Sequence, residues 1–161
     1  LKLVQKSGFG KFLFFNWRYD ENENIKSDFI LNDSKYDGSQ ILVAGDNFGC
    51  GSSREHAVWA LDDYGFSVII SSSFADIFFS NCFKNGILPI SLDSKIVEKL
   101  LKETNSVEVD LKNQIIKTSF DDSLAASQSK ISTLKPFEWH DSANSNDHVG
   151  GSIAKKTLGK S

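Results

Sequence analysis

An α/β layered domain with a largely parallel sheet is what this sequence predicts, and three observations predict it. Apolar runs of strand length alternate three times with segments of helical period. Each helical segment opens on residues able to cap a helix, and the first two end on glycine. A hairpin pattern follows the third helix, which places the parallel part before it.

Residues 9–19, FGKFLFFNWRY, are aromatic and belong against the core, with Arg18 as a polar exception that reads as a surface ion pair. Residues 20–38 are mostly polar and turn-forming around a short apolar FIL, so they form a long connection with little regular structure. QILVA at 40–44 has the Ile, Leu and Val content of a strand buried on both faces. The loop GDNFGCG leads into a helix from about Ser53 to Tyr64, with Ala57, Val58, Leu61 and Tyr64 on one face and Gly65 as its stop. Ser52 and Glu55 have the spacing of a capping box.

The pattern then repeats. FSVII at 66–70 is a buried strand, Ser73 with Asp76 a second cap, ADIFFSNCFKN a helix stopped by Gly86, and ILPIS at 87–91 a third strand. DSKIVEKLLKET at 93–104 is an amphipathic helix capped by Asp93, and SVEVDLKNQIIKTSF at 106–120 turns as a hairpin at Lys112 and Asn113. From His140 onward few apolar residues and no steady period remain, which predicts a disordered tail.

The chain's 161 residues fit one domain. A net charge of -3 without a basic, aromatic-interleaved cluster points to neither nucleic acid nor an anionic membrane as a partner. Cys50 and Cys82 have no metal-ligand or scaffold spacing, so they read as reduced thiols of a soluble, cytoplasmic chain, and no apolar run reaches the roughly 20 residues of a membrane span.

The chemistry concentrates at residues 45–56. A glycine-rich loop between a strand and a helix favours an anion, because the first helical amides are unpaired and the helix dipole is positive there. GCGSSR is neither a P-loop nor a dinucleotide fingerprint, so the anion is smaller than a nucleotide. Arg54 faces that positive end; either it grips a bound carboxylate or it pairs with Asp46 or Glu55. Ser52 caps the helix or contacts the ligand, and Ser53 is surface, cap or ligand contact. Cys50 with His56 lacks a third orienting residue, so His56 reads as a helix residue hydrogen-bonded to the neighbouring layer rather than as part of a thiol nucleophile.

The run from Asn47 to Ile90, with its GCGSSREH, SFADIF and GILPI blocks, resembles the small subunit of 3-isopropylmalate dehydratase, a relative of the swivelling C-terminal domain of aconitase. SGFGKFLFFNWRY adds to the likeness, which covers roughly residues 1–110. The resemblance implies a swivelling β/β/α fold over residues 1–120, with 121–161 an atypical, poorly ordered segment. It also implies a hydro-lyase subunit of leucine biosynthesis, inactive alone, interconverting 2- and 3-isopropylmalate by dehydration and rehydration. A large-subunit partner would hold a [4Fe-4S] cluster; no metal or cofactor is expected in this chain, whose two cysteines are fewer than the three ligands such a cluster uses.

By the same likeness Ser52 is the catalytic base, Arg54 the carboxylate-gripping residue and Ser53 a supporting substrate contact on a small dicarboxylate. The family's Asp-Thr-Asp segment and its usual closing segment are both missing here, which leads us to expect an N-terminally incomplete chain with a C-terminal end altered by a change of reading frame. A carboxylate-binding domain without chemistry and an inactive remnant of the subunit are the alternatives.

Overall fold

The structure is a computed structural model that describes residues 7–52, 54–102, 107–118, 124–125, 148–151 and 153–156. After a short helix, α1 (Phe15–Arg18), the chain reaches β1 (Ile41–Ala44), α2 (His56–Tyr64), β2 (Val68–Ser71), α3 (Asp76–Lys84), β3 (Leu88–Ser91) and α4 (Ser94–Lys102). β1, β2 and β3 pair in parallel, as the alternation predicts. Further on, β4 (Val107–Asp110), β5 (Ile115–Lys117), β6 (Leu124–Ala125) and β7 (His148–Gly151) form an antiparallel sheet in the order β6-β5-β4-β7. The last strand, β8 (Ile153–Lys156), lies parallel to β1 and completes the first sheet in the order β3-β2-β1-β8. Three strands of the segment 121–161 therefore join the two sheets, and its other residues lie outside the described ones.

All four residues of β1 are buried, and so are all four of β2, which is what runs of Ile, Leu and Val require of strands covered on both faces. Alternation along the strand sorts them. Leu42, Ala44 and Ile69 point into one apolar cluster with Val58, Leu61, Phe66 and Phe78. Ile41, Val43, Val68 and Ile70 point into the other, with Val97 and Leu100 of α4 and Val107, Val109 and Ile116 of the hairpin. Every element between the first and last of these was predicted within about two residues, except for how its helices begin.

Asp93 does cap α4, accepting from the amide of Lys95 at 2.9 Å. Gly65 ends α2 at φ 115, its amide bonding back to the carbonyls of Leu61 and Asp62. The hairpin turns through residues 111–114, where the buried Asp110 carboxylate accepts from both the backbone and side-chain nitrogens of Asn113 at 3.0 and 2.7 Å.

The aromatic segment does lie on the first cluster, through buried Leu13 and half-buried Phe9 and Phe14. The carboxylate of Asp63 on α2 ties it down by accepting from Gly8 N and Gly10 N at 3.0 and 2.7 Å. Arg18 departs from expectation: instead of a surface ion pair, its guanidinium lies over the Tyr64 and Tyr19 rings at 5.1 and 5.3 Å, and its Nε donates to Asn32 Oδ1. Among the described residues it makes no ion pair, and the two rings take that place. Residues 20–38 carry only two single 3-10 turns, Ile30–Asn32 and Ser34–Tyr36, while Phe29 and Leu31 of the FIL triplet are buried.

Candidate functional site

The loop from Gly45 to Glu55 leaves β1 at the end of the sheet and is held first by the neighbouring strand's exit. Ser71, fully buried at the end of β2, places its hydroxyl between the carbonyls of Gly45 and Ser73 at 2.6 and 2.7 Å. Ser73 Oγ accepts from Asn47 N at 2.7 Å, and the Phe48 amide donates to the Ser73 carbonyl at 3.0 Å. Past that anchorage the backbone reverses repeatedly: Asn47, Gly49 and Gly51 have φ of 53, 83 and 83. Gly49 is obligatory twice over, because its φ is left-handed and a Cβ there would sit 2.2 Å from the Phe78 ring.

These reversals correct both predicted caps. α2 begins at His56 rather than near Ser53; Glu55 precedes it in helical conformation with no side-chain capping bond, so the Ser52–Glu55 capping box is not formed. Instead the Ser52 amide closes a turn onto the Gly49 carbonyl at 3.0 Å. Ser73 does not cap α3 either: Ala75 holds the position before it with no side-chain bond, and the Ser73 oxygen is committed to the loop. Short polar side chains satisfy whichever backbone amide the chain brings near, and here tertiary contact outweighs the local helix start.

Ser52 is half-buried on the wall of an open cleft of about 390 Å³. Phe12, Phe14 and Trp17 also line it, together with Asn47, Cys50 and Ala57 of α2. Arg54 is exposed, lies off the cleft wall, and makes no ion pair with Asp46 or Glu55 among the described residues. Its guanidinium is therefore available for a carboxylate arriving from outside. Ser53 lies outside the described residues. His56 is exposed and packs tilted against Phe9 and edge-on against Trp59, at 5.4 and 4.8 Å between ring centres, rather than bonding to the neighbouring layer.

The aromatic side of the cleft was legible as core but not as part of a site; the exposed faces of Phe12 and Trp17 are what distinguish the two. Ser71 and Ser73 were missed as loop anchors, although a run of three serines following a strand was there to be read. Cys50 is exposed at the cleft, whereas Cys82 is buried in α3 and burial pushes its thiol up to about 12. Among the described residues no three His, Cys, Asp or Glu side chains could hold a metal ion together. No helix among them is long and apolar enough to cross a membrane.

Comparison with known proteins decides the family. The profile of the aconitase C-terminal domain matches residues 1–95, well over half of the chain. The chain belongs to the aconitase C-terminal domain family. The loop just described lies inside the matched part of this aconitase-type domain. The 3-isopropylmalate dehydratase small subunit of Bacillus cereus (strain 03BB102) is 57% identical over 121 residues, covering 74% of this chain and 63% of that protein. The subunit of the same name from Bacillus subtilis (strain 168) is 53% identical over 123 residues, covering 74% and 62%. A crystal structure of 3-isopropylmalate dehydratase from Methanocaldococcus jannaschii is 42% identical, with a TM-score of 0.42 over 47% of this chain and 43% of that one. The aconitase-type chain thus spans a little under two thirds of the length of the curated relatives it matches.

Proposed function

We propose that this chain supplies the small-subunit half of a 3-isopropylmalate dehydratase, a cytoplasmic hydro-lyase that interconverts 2- and 3-isopropylmalate in leucine biosynthesis. The observation that carries the reading is the 57% identity to a curated small subunit, together with a family match across the whole GCGSSREH loop. The partner is a large subunit closing over the loop, and its [4Fe-4S] cluster would polarise the departing hydroxyl. The two thiols here do not fit that cluster: Cys50 is exposed, Cys82 is buried with its proton held, and no third thiol exists.

In this reading Ser52 takes the proton from the carbon next to a substrate carboxylate, and returns it on rehydration. A serine hydroxyl is a weak base in water, so its alkoxide needs backbone amides and the Arg54 charge nearby in a site shut off from solvent. Among the described residues the half-buried Ser52 makes no capping bond, which leaves its hydroxyl for that role. Arg54, exposed just before α2 and, among the described residues, without an ion-pair partner, supplies the two-pronged grip on a substrate carboxylate, and Ser53 adds a polar contact. The helix dipole favours the same negative charge.

Reconstitution with a large subunit tests this. The complex should hydrate the dehydrated intermediate, and Ser52→Ala should lower turnover about a thousandfold, within the range general-base catalysis provides. Binding of isopropylmalate by this chain alone, with Ser52→Ala leaving the reconstituted rate unchanged, would replace the enzyme subunit with a carboxylate-binding domain.

A further inference from the structure

We infer that Ser73 is a positioning residue for Ser52, acting through the Asn47 peptide; this rests on the catalytic reading of Ser52. Three hydrogen bonds fasten residues 47 and 48 to the segment leaving β2: Asn47 N to Ser73 Oγ at 2.7 Å, Phe48 N to the Ser73 carbonyl at 3.0 Å, and Ala75 N to the Phe48 carbonyl at 3.0 Å. Ser71, through its hydroxyl, fixes the Ser73 carbonyl in turn. Beyond Phe48, the described chain as far as Ser52 is held by two turn bonds, Cys50 N to the Asn47 carbonyl at 3.2 Å and Ser52 N to the Gly49 carbonyl at 3.0 Å. The first of these starts from the residue that Ser73 holds.

Asn47 has φ 53, a left-handed conformation that asparagine tolerates better than most residues but still at a cost. The Ser73 oxygen offsets that cost by satisfying its amide. Contact of Gly49 with Phe78 leaves little room for the loop to adjust. Rotation of the Asn47 peptide is therefore passed on through the two turns to Ser52. Since Ser73 is exposed and makes no bond to the start of α3, removing its hydroxyl disturbs the loop and not the helix.

The test is the complex reconstituted with a large subunit, carrying Ser73→Ala or Ser73→Thr. Ser73→Ala should lower kcat about tenfold, as small misplacements of a reacting group do. KM should change little, the thermal midpoint should stay close to that of the unaltered complex, and amide hydrogen exchange across residues 47–52 should quicken. Ser73→Thr, which keeps the oxygen, should recover most of the rate. Unaltered kcat in Ser73→Ala, equal losses in the two variants, or unchanged exchange in that loop would each overturn the inference. Ser52→Ala serves as the reference: if it turns over normally, the catalytic reading falls and this role with it. If it is inactive while Ser73→Ala matches the unaltered complex, the positioning role alone is lost.

Discussion

On one face of the parallel sheet, Ile41, Val43, Val68, Ile70, Leu88 and Ile90 meet α4 and the hairpin, and every buried side chain in that cluster is aliphatic. On the other face, Leu42 and Ile69 meet α2 and α3 through Phe48, Phe66 and Phe78, with more rings only half covered at its margin. Branched aliphatic chains interdigitate and close their layer. Rings instead meet at set angles, Phe48 edge to face with Phe74 and Phe78 at 87° and 85° and Phe74 stacked on Phe78 at 9°. The cleft opens on this aromatic face, and the Ser52 loop lies there because Gly49 is flush against Phe78. The difference teaches that one layer holds the fold while the other both holds it and shapes the site.

Breaking the aliphatic layer should separate these duties most clearly. Ile70→Ala removes a fully buried side chain from a closed layer, and should lower stability by about 4 kcal/mol, read as a urea midpoint. The turnover of whatever remains folded in the reconstituted complex should be unaltered; a matching loss per folded molecule would mean that the two faces are coupled. Gly49→Ala attacks the other face. A left-handed alanine and a Cβ driven into Phe78 should together cost about 2–3 kcal/mol, less than the cavity. Yet turnover should fall much further than in Ile70→Ala, because the loop must move away from the ring to make room. Wild-type turnover in Gly49→Ala would show that Ser52 does not depend on this packing.

The same contrast explains what could be read in advance. Strands β1 to β3 were legible because a run such as ILVA is apolar at every position, which only a doubly covered strand requires. Asp93 was legible as a cap because its partner, the Lys95 amide, is two residues away. The cap at Ser73 failed for the opposite reason, its oxygen being bound to Asn47 across 26 residues, while Ser52 is turned back onto Gly49 by a loop whose left-handed residues delay the helix start. Arg18 was misread for a related reason, since Tyr64 comes to it from α2. The GCGSSREH motif identified the loop, but not the aromatic wall of its cleft, because Phe12 and Trp17 have the composition of core and reveal themselves only by their exposed faces. Local chemistry is written in order along the chain; a cleft is made of residues that order keeps apart.

Thiol protection maps where closure of the aromatic face ends, and the two cysteines measure it. Cys82 contributes to that face's buried cluster, whereas Cys50 is exposed at the mouth. Burial disfavours the thiolate, so the folded Cys82 keeps its proton up to about 12, above the ordinary thiol value of 9.0 expected once the chain unfolds. Below the unfolded value both states are protonated and the thiol adds no pH dependence. As pH rises past it, the unfolded state loses the proton first, so stability falls up to the folded value. The loss should be about 1.4 kcal/mol per pH unit in that window, and the difference between the intact chain and Cys82→Ala isolates it from lysines and tyrosines titrating nearby. A thiol reagent at neutral pH should label Cys50 at once and Cys82 only as fast as the chain opens. Equal labelling of both thiols in the folded chain, or a pH profile untouched by Cys82→Ala, would mean that the aromatic layer is open to water well behind the cleft, and that the closed and open parts of this face are not distinct.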